Sequence, residues 1–360
     1  MPAFEHHRDD SSVSSGRRCM AKGLPPTEKK DDLGYVAYVV DFQDTDYFIN
    51  AYIGIECDSR DEDAVALAAD RRAAIIDLLE GENAPDVVEF SVQEEIAPRQ
   101  GDVIHLYWKS VQTFETWSAS DALKSWFSSV SGTGVSLWME SAKILSDQVE
   151  TSGSHPTDTG MGRLVGGHRA TDVMGYWGGM YDRVAAYKTR DMSNPEGPHP
   201  KAATPPKGDI VHAVMPHNVC LTNGNANWGA AEPDERAFYL KQLHPALQNA
   251  HKYLRDEPDV ANAYSSRFLR MTDLDGNAQD RICMLVYFVS LDDLHAWTGK
   301  HETHQRIFHL YQAIAKKIQR APSYELWHEV SVVPGGGLWG LYANCPDQTG
   351  FKSYATQYCR

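Results

Sequence analysis

The stretch from Lys300 to Val333, KHETHQRIFHLYQAIAKKIQRAPSYELWHEVSVV, joins a helix pattern to a strand pattern. Ile307, Tyr311 and Ile314 recur at three- and four-residue spacing, which predicts an amphipathic helix with one apolar face. His304 continues that face one turn earlier. We therefore expect an inward-facing imidazole at the start of this helix.

A strand is predicted after Pro322, which ends the helix. Leu326, His328 and Val330 alternate with Glu325, Trp327 and Glu329, as in a strand that is buried on one face. His328 therefore occupies a core position. With His304 it places two imidazoles on the buried faces of neighbouring elements, an arrangement that suits a metal ion or a haem.

Composition excludes several classes of protein. The chain has 360 residues, 42% of them hydrophobic, and a formal net charge of −15, which argues against a nucleic-acid partner because phosphates would be repelled. No apolar run approaches the roughly 18 residues of a membrane span, and the N-terminus lacks the apolar core of a secretory signal. Six dispersed cysteines without a CxxC motif fit reduced thiols and a cytoplasmic location.

The order of predicted elements indicates a duplicated α+β protein. Each half reads as strand, helix, two strands, helix, strand, which is the order of a ferredoxin-like unit. A Gly- and Pro-rich region between the halves is typical of loops that cover a pocket. The predicted parts are a mobile tail at 1–33, a first half at 34–150, a lid region at 151–209, a second half at 210–345 and a C-terminal tail at 346–360.

Two local predictions concern single elements. Phe114–Val130 reads as one Trp-rich helix. Asp273–Asn277 begins like a calcium loop, but Ile282 stands where the bidentate Glu is needed, so we expect a hairpin turn.

Other residues allow more than one interpretation. His301, His304 and His328 are a possible zinc set, although no carboxylate stands at HExxH spacing. Arg183 follows an aromatic and Gly-rich loop and is either a surface ion-pair partner or a ligand for an anionic or hydroxyl-bearing molecule. Glu150 precedes that loop and by itself reads as a solvated carboxylate.

Several segments resemble the haem-containing aldoxime dehydratases, also called phenylacetaldoxime or alkylaldoxime dehydratases. The resemblance runs from about residue 35 to Asn344-Cys345 and so covers nearly the whole chain. Its segments are Gly175–Arg183 (GYWGGMYDR), Tyr264–Arg270 (YSSRFLR), Asp273–Asn277 (DLDGN), His301–Phe308 (HETHQRIF) and His328–Val332 (HEVSV).

The resemblance implies a dimeric α/β barrel of two ferredoxin-like halves that converts R–CH=N–OH to R–C≡N and water at a haem b. It implies that His304 is the axial iron ligand and that His328 is the distal histidine. Arg183 corresponds to the family's pocket arginine and Glu150 to the glutamate that supports the distal histidine. The substrate is then a small aldoxime and the active iron is ferrous.

One departure from the family concerns a serine that binds the oxime hydroxyl group. In Thr222–Trp228 (TNGNANW), Gly224 stands at that position. Either Thr222, Asn223 or Asn225 takes over, or Arg183 and His328 suffice. The spacing between the two histidines is also slightly longer than in the family.

The resemblance leads to a mechanistic hypothesis in which His328 protonates the departing hydroxyl group, since histidine has a near-neutral pKa. Glu150 orients His328, and Arg183 assists. Three rivals remain: another haem enzyme on the same scaffold, peroxidase- or chlorite-dismutase-like; a haem-binding protein without activity; and a zinc hydrolase.

Overall fold

The computed structural model describes residues 36–43, 45–94, 99–174, 178–189, 192 and 209–357. The predicted tail at 1–33 lies outside these residues, as do Gly175, Tyr176 and Trp177 of the aromatic loop. Within the described residues the chain is an α+β protein, as the sequence predicts.

The helices of the described chain are α1 (Glu62–Leu79), α2 (Val111–Ser118), α3 (Asp121–Ser128), α4 (Gly160–Val165), α5 (Gly179–Arg183), α6 (Pro233–Phe238), α7 (His244–Asp256), α8 (Pro258–Ala261), α9 (Leu291–Lys300) and α10 (Glu302–Ile318). A π-helical turn, Tyr239–Leu243, joins α6 to α7. Short 3-10 turns occupy Ser146–Gln148, Ala185–Lys188 and Lys352–Tyr354.

The strands are β1 (Ala37–Val40), β2 (Tyr47–Asp58), β3 (Val87–Gln93), β4 (Arg99–Trp108), β5 (Val135–Leu145), β6 (Val149–Gly153), β7 (His168–Thr171), β8 (Ile210–Val214), β9 (Val219–Asn227), β10 (Ala263–Thr272), β11 (Ala278–Phe288), β12 (Glu325–Val333), β13 (Leu338–Ala343) and β14 (Thr356–Gln357). They form one sheet in the order β14-β8-β13-β5-β2-β4-β3-β10-β11-β9-β12-β6-β1-β7.

The centre of the sheet repeats one arrangement twice. Strands β5-β2-β4-β3 come from the first half and β10-β11-β9-β12 from the second. If the four strands of each half are numbered 1 to 4 along the chain, the first set has the sheet order 4-1-3-2. The second set has the same order when it is read from β12. Antiparallel pairing of β3 with β10 joins the two sets. The two halves thus share both the order of their elements and the order of their strands.

The sheet has an inner face, where the two halves pack together, and an outer face that the helices cover. Phe48, Tyr107 and Leu285 belong to the core on the inner face. On the outer face, α1, α2 and α3 cover the first half. Helices α7, α9 and α10 cover the second half around Leu254 and Ile307.

Hydrogen bonds across the inner face show that the sheet is strongly curved. The Tyr52 hydroxyl group of β2 lies 3.0 Å from Oδ1 of Asn223 on β9. Tyr107 of β4 donates to Oε2 of Glu329 on β12 over 3.0 Å. These strands are not neighbours in the sheet, so it must bend to bring them together.

The prediction of one helix at Phe114–Val130 is wrong. The segment contains α2 and α3, which are separated at Ala119 and Ser120. The Ser120 hydroxyl oxygen accepts a hydrogen bond from the Leu123 amide over 3.3 Å and so caps α3. A cap of this kind stabilises a new helix start.

The hairpin prediction is confirmed. Strands β10 and β11 pair antiparallel on either side of Asp273–Asn277. The Asp273 amide donates to the Asn277 carbonyl oxygen over 3.0 Å, and Gly276 has a φ of +86°. Glycine adopts this left-handed conformation without the strain that a side chain would cause.

The described part of the chain contains no helix that is both long enough and apolar enough to cross a membrane.

Candidate active site

A cavity of about 400 Å³ lies in the second half between the outer face of the sheet and its helices. Strands β6, β9 and β12 form one wall, and α9 and α10 form another. Most of its lining is apolar, including Leu247, Met284, Ile307, Phe308 and Val330. Its size falls within the roughly 300–1,000 Å³ of ligand pockets.

Helix α10 carries His304 to this cavity. The helix begins after His301, whose side chain accepts from the Thr303 amide and so caps it. Ile307, Tyr311 and Ile314 are buried along the predicted apolar face. His304 lies one turn before Ile307 on that face, as its spacing predicts.

His304 is held in its neutral form. Burial lowers the pKa of its imidazole to about 4; the Thr298 backbone carbonyl group opposes this shift, and His328 adds to it. The Trp297 ring packs edge-on against it, with ring centroids 4.8 Å apart. A neutral imidazole keeps the lone pair that a metal ion requires.

Strand β12 brings His328 to the same cavity. Its Nε2 lies 2.6 Å from Oε1 of Glu150. The Glu150 side chain is fully buried, whereas 33% of the His328 side chain is exposed. Register explains the contact, because Ser152 on β6 pairs with His328 and Glu150 pairs with Val330. Glu150 is therefore a buried strand residue and not a solvated carboxylate.

Arg183 completes the group from the last residue of α5. Its Nε donates to Oε2 of Glu150 over 2.8 Å, and its Nη1 donates to the Val173 carbonyl oxygen over 2.6 Å. Its side chain is 10% exposed, so the ion pair is buried. Tyr181, two residues earlier, anchors α5 by donating to Oδ1 of Asp292 over 2.6 Å.

Two partners decide the charge of Glu150. Burial alone would raise the pKa of this carboxyl group, but Arg183 and His328 lower it to about 2. Glu150 is thus ionised at neutral pH and can only accept hydrogen bonds. Since it accepts from His328, Nε2 of that ring must carry a hydrogen.

The structure does not support the zinc interpretation. His301 serves as the helix cap and stacks on Tyr253 with ring centroids 3.8 Å apart. Within the described ranges, no three His, Cys, Asp or Glu side chains are grouped so that they could hold a metal ion. His295, His304 and His328 all line the cavity, but in the described part of the chain they are not grouped closely enough to hold a zinc ion.

Glu329 follows His328 in the chain but faces the inner side of the sheet, as the alternation predicts. It accepts from the Met161 amide over 2.7 Å and from Asn223 over 3.2 Å. Burial raises the pKa of this carboxyl group to about 7, although these hydrogen bonds act in the opposite direction.

Of the residues considered as substitutes for a serine at Gly224, Asn223 faces this inner side as well, where it bonds with Tyr52. Asn225 lines the cavity, but its side-chain amide donates to the Asn223 carbonyl oxygen over 3.3 Å. Thr222 also lines the cavity.

Ser152 is a cavity residue that the sequence reasoning missed. Its hydroxyl oxygen lies 3.0 Å from Nε2 of His328, and its side chain is buried and lines the cavity. The residue falls in a segment that reads as loop because Val149–Gly153 has a weak apolar pattern. The two-residue spacing from Glu150 was the available signal, since it places both side chains on one face of a strand.

Comparison with known proteins identifies the family. The family model for haem-containing dehydratases matches residues 51–351. The chain belongs to the haem-containing dehydratase family. It is therefore a lyase, and haem is its cofactor.

Individual members of the family are similar along most of the chain. Phenylacetaldoxime dehydratase of Bacillus sp. (strain OxB-1) is 29% identical over 315 residues, which cover 86% of this chain and 88% of that protein. Aliphatic aldoxime dehydratase of Rhodococcus erythropolis is 30% identical over 309 residues, with coverages of 84% and 85%. A crystal structure of an aldoxime dehydratase in complex with butyraldoxime superposes with a TM-score of 0.81 at 28% identity, covering 88% of each chain.

The cavity fits the cofactor of this family. His304 supplies a neutral imidazole, which is a common haem ligand. The surrounding walls are largely apolar, as the porphyrin ring requires. The polar groups of His328, Arg183 and Ser152 line the same cavity.

Proposed function

We propose that this haem-containing dehydratase converts aldoximes, R–CH=N–OH, to nitriles, R–C≡N, and water. The observation that carries the proposal is the 2.6 Å contact between His328 and the ionised Glu150 at the edge of the cavity that His304 also lines. The similarity to dehydratases of phenylacetaldoxime and of aliphatic aldoximes supports this substrate class.

His304 is the residue that would hold the haem iron. Its neutral ring, on the apolar face of α10, would supply the nitrogen that coordinates the iron. When bound, ferrous haem supplies a site for the oxime nitrogen and electron density that weakens the N–O bond. Dehydration is redox-neutral overall, because the electron pair of the broken N–O bond leaves with the oxygen.

His328 is the general acid of the proposal. The departing hydroxyl group leaves as water when it receives a proton, and a positioned acid typically contributes about 10²–10⁴ in rate. Glu150 accepts the Nε2 hydrogen of His328, so Nδ1 is the ring nitrogen that remains for the substrate.

The second proton comes from the aldoxime carbon. Its bonding pair forms the third carbon–nitrogen bond while the N–O bond breaks. His328 has given up its proton at this point and is the base that takes the new one. One proton is thus gained and one lost at the histidine in each turnover, so its protonation state is restored.

Arg183 has two roles in the proposal. It holds the second oxygen of Glu150 and thereby fixes the carboxylate that orients His328. Within the described part of the chain no hydrogen bond engages its Nη2, which makes this group the available donor toward the substrate. Guanidinium groups bind hydroxyl oxygens and anions well.

The test is nitrile formation by the purified protein loaded with haem. Under anaerobic conditions with dithionite, an aldoxime should be converted to its nitrile, and omission of dithionite should remove most of the activity. Chromatography of the products follows both compounds. Peroxide turnover without nitrile formation would favour the peroxidase-like alternative, and haem binding with neither activity would favour a haem carrier.

We also propose that each half is a ferredoxin-like unit and that the curved sheet closes as an α/β barrel. The 4-1-3-2 strand order of both halves and the hydrogen bonds from Tyr52 and Tyr107 across the inner face support this. Light scattering of the protein as it elutes from a sizing column tests the homodimer that the family resemblance implies. Free Cys57, Cys220, Cys283 and Cys345 are consistent with a cytoplasmic protein.

A further inference from the structure

The hydrogen bonds around Ser152 leave one hydrogen without an acceptor. Glu150 is ionised and Nε2 of His328 donates to it, so the same nitrogen has no lone pair with which to accept from Ser152. The Ser152 oxygen can therefore only accept from this nitrogen. Within the described residues the hydroxyl group has no second partner. Its own hydrogen remains for a group inside the cavity.

The position of Ser152 directs that hydrogen toward the ligand. Across the sheet, Ser152 and Gly224 are the register partners of His328 on its two sides. All three residues line the cavity. Ser152 is 4% exposed, so bulk water does not readily satisfy its hydroxyl group. A buried donor without an acceptor is unfavourable, and a bound acceptor would remove this cost.

We propose that Ser152 is a further catalytic residue, whose hydroxyl group donates a hydrogen bond to the oxygen of the bound N–OH group beside His328. This inference rests on the proposed function. It assigns the hydroxyl contact to strand β6, whereas Gly224 on β9 provides none. The donor stabilises the oxygen as negative charge develops on it during N–O cleavage.

The experiment compares three variants with the wild-type holoenzyme by kcat, KM and haem content. Ser152→Ala should keep its Soret band and lower kcat/KM by about 10²-fold, the effect of removing one preorganised donor. Ser331→Ala is the matched control. Ser331 is a buried serine on β12 whose side chain faces the inner side of the sheet, so its loss should leave kcat/KM unchanged.

A third variant tests contact with the substrate and not mere support of the fold. A Cβ atom at Gly224 would meet its nearest neighbours, atoms of Met284, at 3.8 Å or more, so a side chain fits there. Gly224→Ser combined with Ser152→Ala places a hydroxyl group on the other side of His328. The kcat/KM of this double variant should be at least about tenfold higher than that of Ser152→Ala.

The outcomes separate the two proposals. Wild-type protein that binds haem but forms no nitrile overturns the proposed function and this inference with it. An active wild type with a Ser152→Ala variant within twofold of its kcat/KM overturns the role of Ser152 alone. A double variant no more active than Ser152→Ala also overturns it, because the missing group would then not be a hydroxyl donor.

Discussion

Nε2 of His328 lies 2.6 Å from Oε1 of Glu150, and the other oxygen of that carboxylate lies 2.8 Å from Nε of Arg183. One buried carboxylate therefore fixes both an arginine and a histidine at the edge of the cavity. The arrangement determines which nitrogen of the histidine is free and keeps the arginine in place. Tests of the site begin with these residues.

Replacement of His328 by alanine should abolish most turnover while the haem remains bound. The loss of a general acid predicts a fall in kcat of about 10²–10⁴. Assays of nitrile formation and the Soret absorbance of the same sample measure the two effects. A variant with wild-type kcat would show that another group protonates the hydroxyl group.

Glu150→Gln should destabilise the fold because Arg183 would lose its buried counter-ion. Breaking such a pair costs about 3–5 kcal/mol in the free energy of unfolding at pH 7. The pKa of Glu150 is lowered from its ordinary value of 4.5 to about 2. Its stabilising effect is therefore complete above pH 4.5 and declines as the pH falls toward 2.

Urea unfolding of wild type and Glu150→Gln at pH 7, 5 and 3.5 measures this dependence. The difference between the two proteins should be largest at pH 7 and smaller at pH 3.5. Glu82→Gln, an exposed loop substitution, should change the stability by less than about 0.5 kcal/mol. A constant difference across the pH range would contradict the ion-pair explanation.

His304→Ala should lose haem. His301→Ala is the natural comparison, since both histidines lie at the start of α10, but His301 caps the helix. Loss of the cap should reduce stability by about 1 kcal/mol and leave haem content unchanged. Absorption spectra of both variants after reconstitution with hemin measure their haem content. A full Soret band in His304→Ala would refute the ligand assignment.

Glu329 should make stability fall as the pH rises. Its pKa is raised from 4.5 to about 7 by burial, so its contribution is complete below pH 4.5 and is lost as the pH passes 7. This shift corresponds to about 3 kcal/mol. Glu329→Gln should therefore gain stability relative to wild type between pH 5 and pH 8. Equal pH dependence of both proteins in thermal unfolding would contradict it.

The sequence predicts those elements whose local pattern agrees with their environment. Helix α10 and strand β12 each bury one face, so their periodicity is clear. The hairpin at Asp273–Asn277 depends on Gly276, a purely local requirement. Helical spacing predicts that His304 faces inward, and the strand alternation predicts the buried-face position of His328.

Other features depend on distant residues and leave little local trace. Strand β6 is buried because β1 and β12 pair with its two edges, while its own sequence, VETSG, lacks an apolar alternation. The hydrogen bond of Ser152 with His328 joins residues that are 176 positions apart. The charge of Glu150 follows from Arg183, which reaches it from a separate short helix.

The described residues that line the cavity all follow residue 151, although the strand order is repeated in both halves. The first half shares the inner core with the second half and supports β9 and β12 through Tyr52 and Tyr107. The cavity is thus built from the second half and from the segment that joins the two halves, with Glu150 at the end of the first half as the buried carboxylate that contacts His328. Substitutions on the exposed surfaces of α1, α2 and α3 should therefore leave the substrate range unchanged, whereas a different range requires substitutions in the elements that line the cavity, among them β6, α5, β9, β12, α9 and α10.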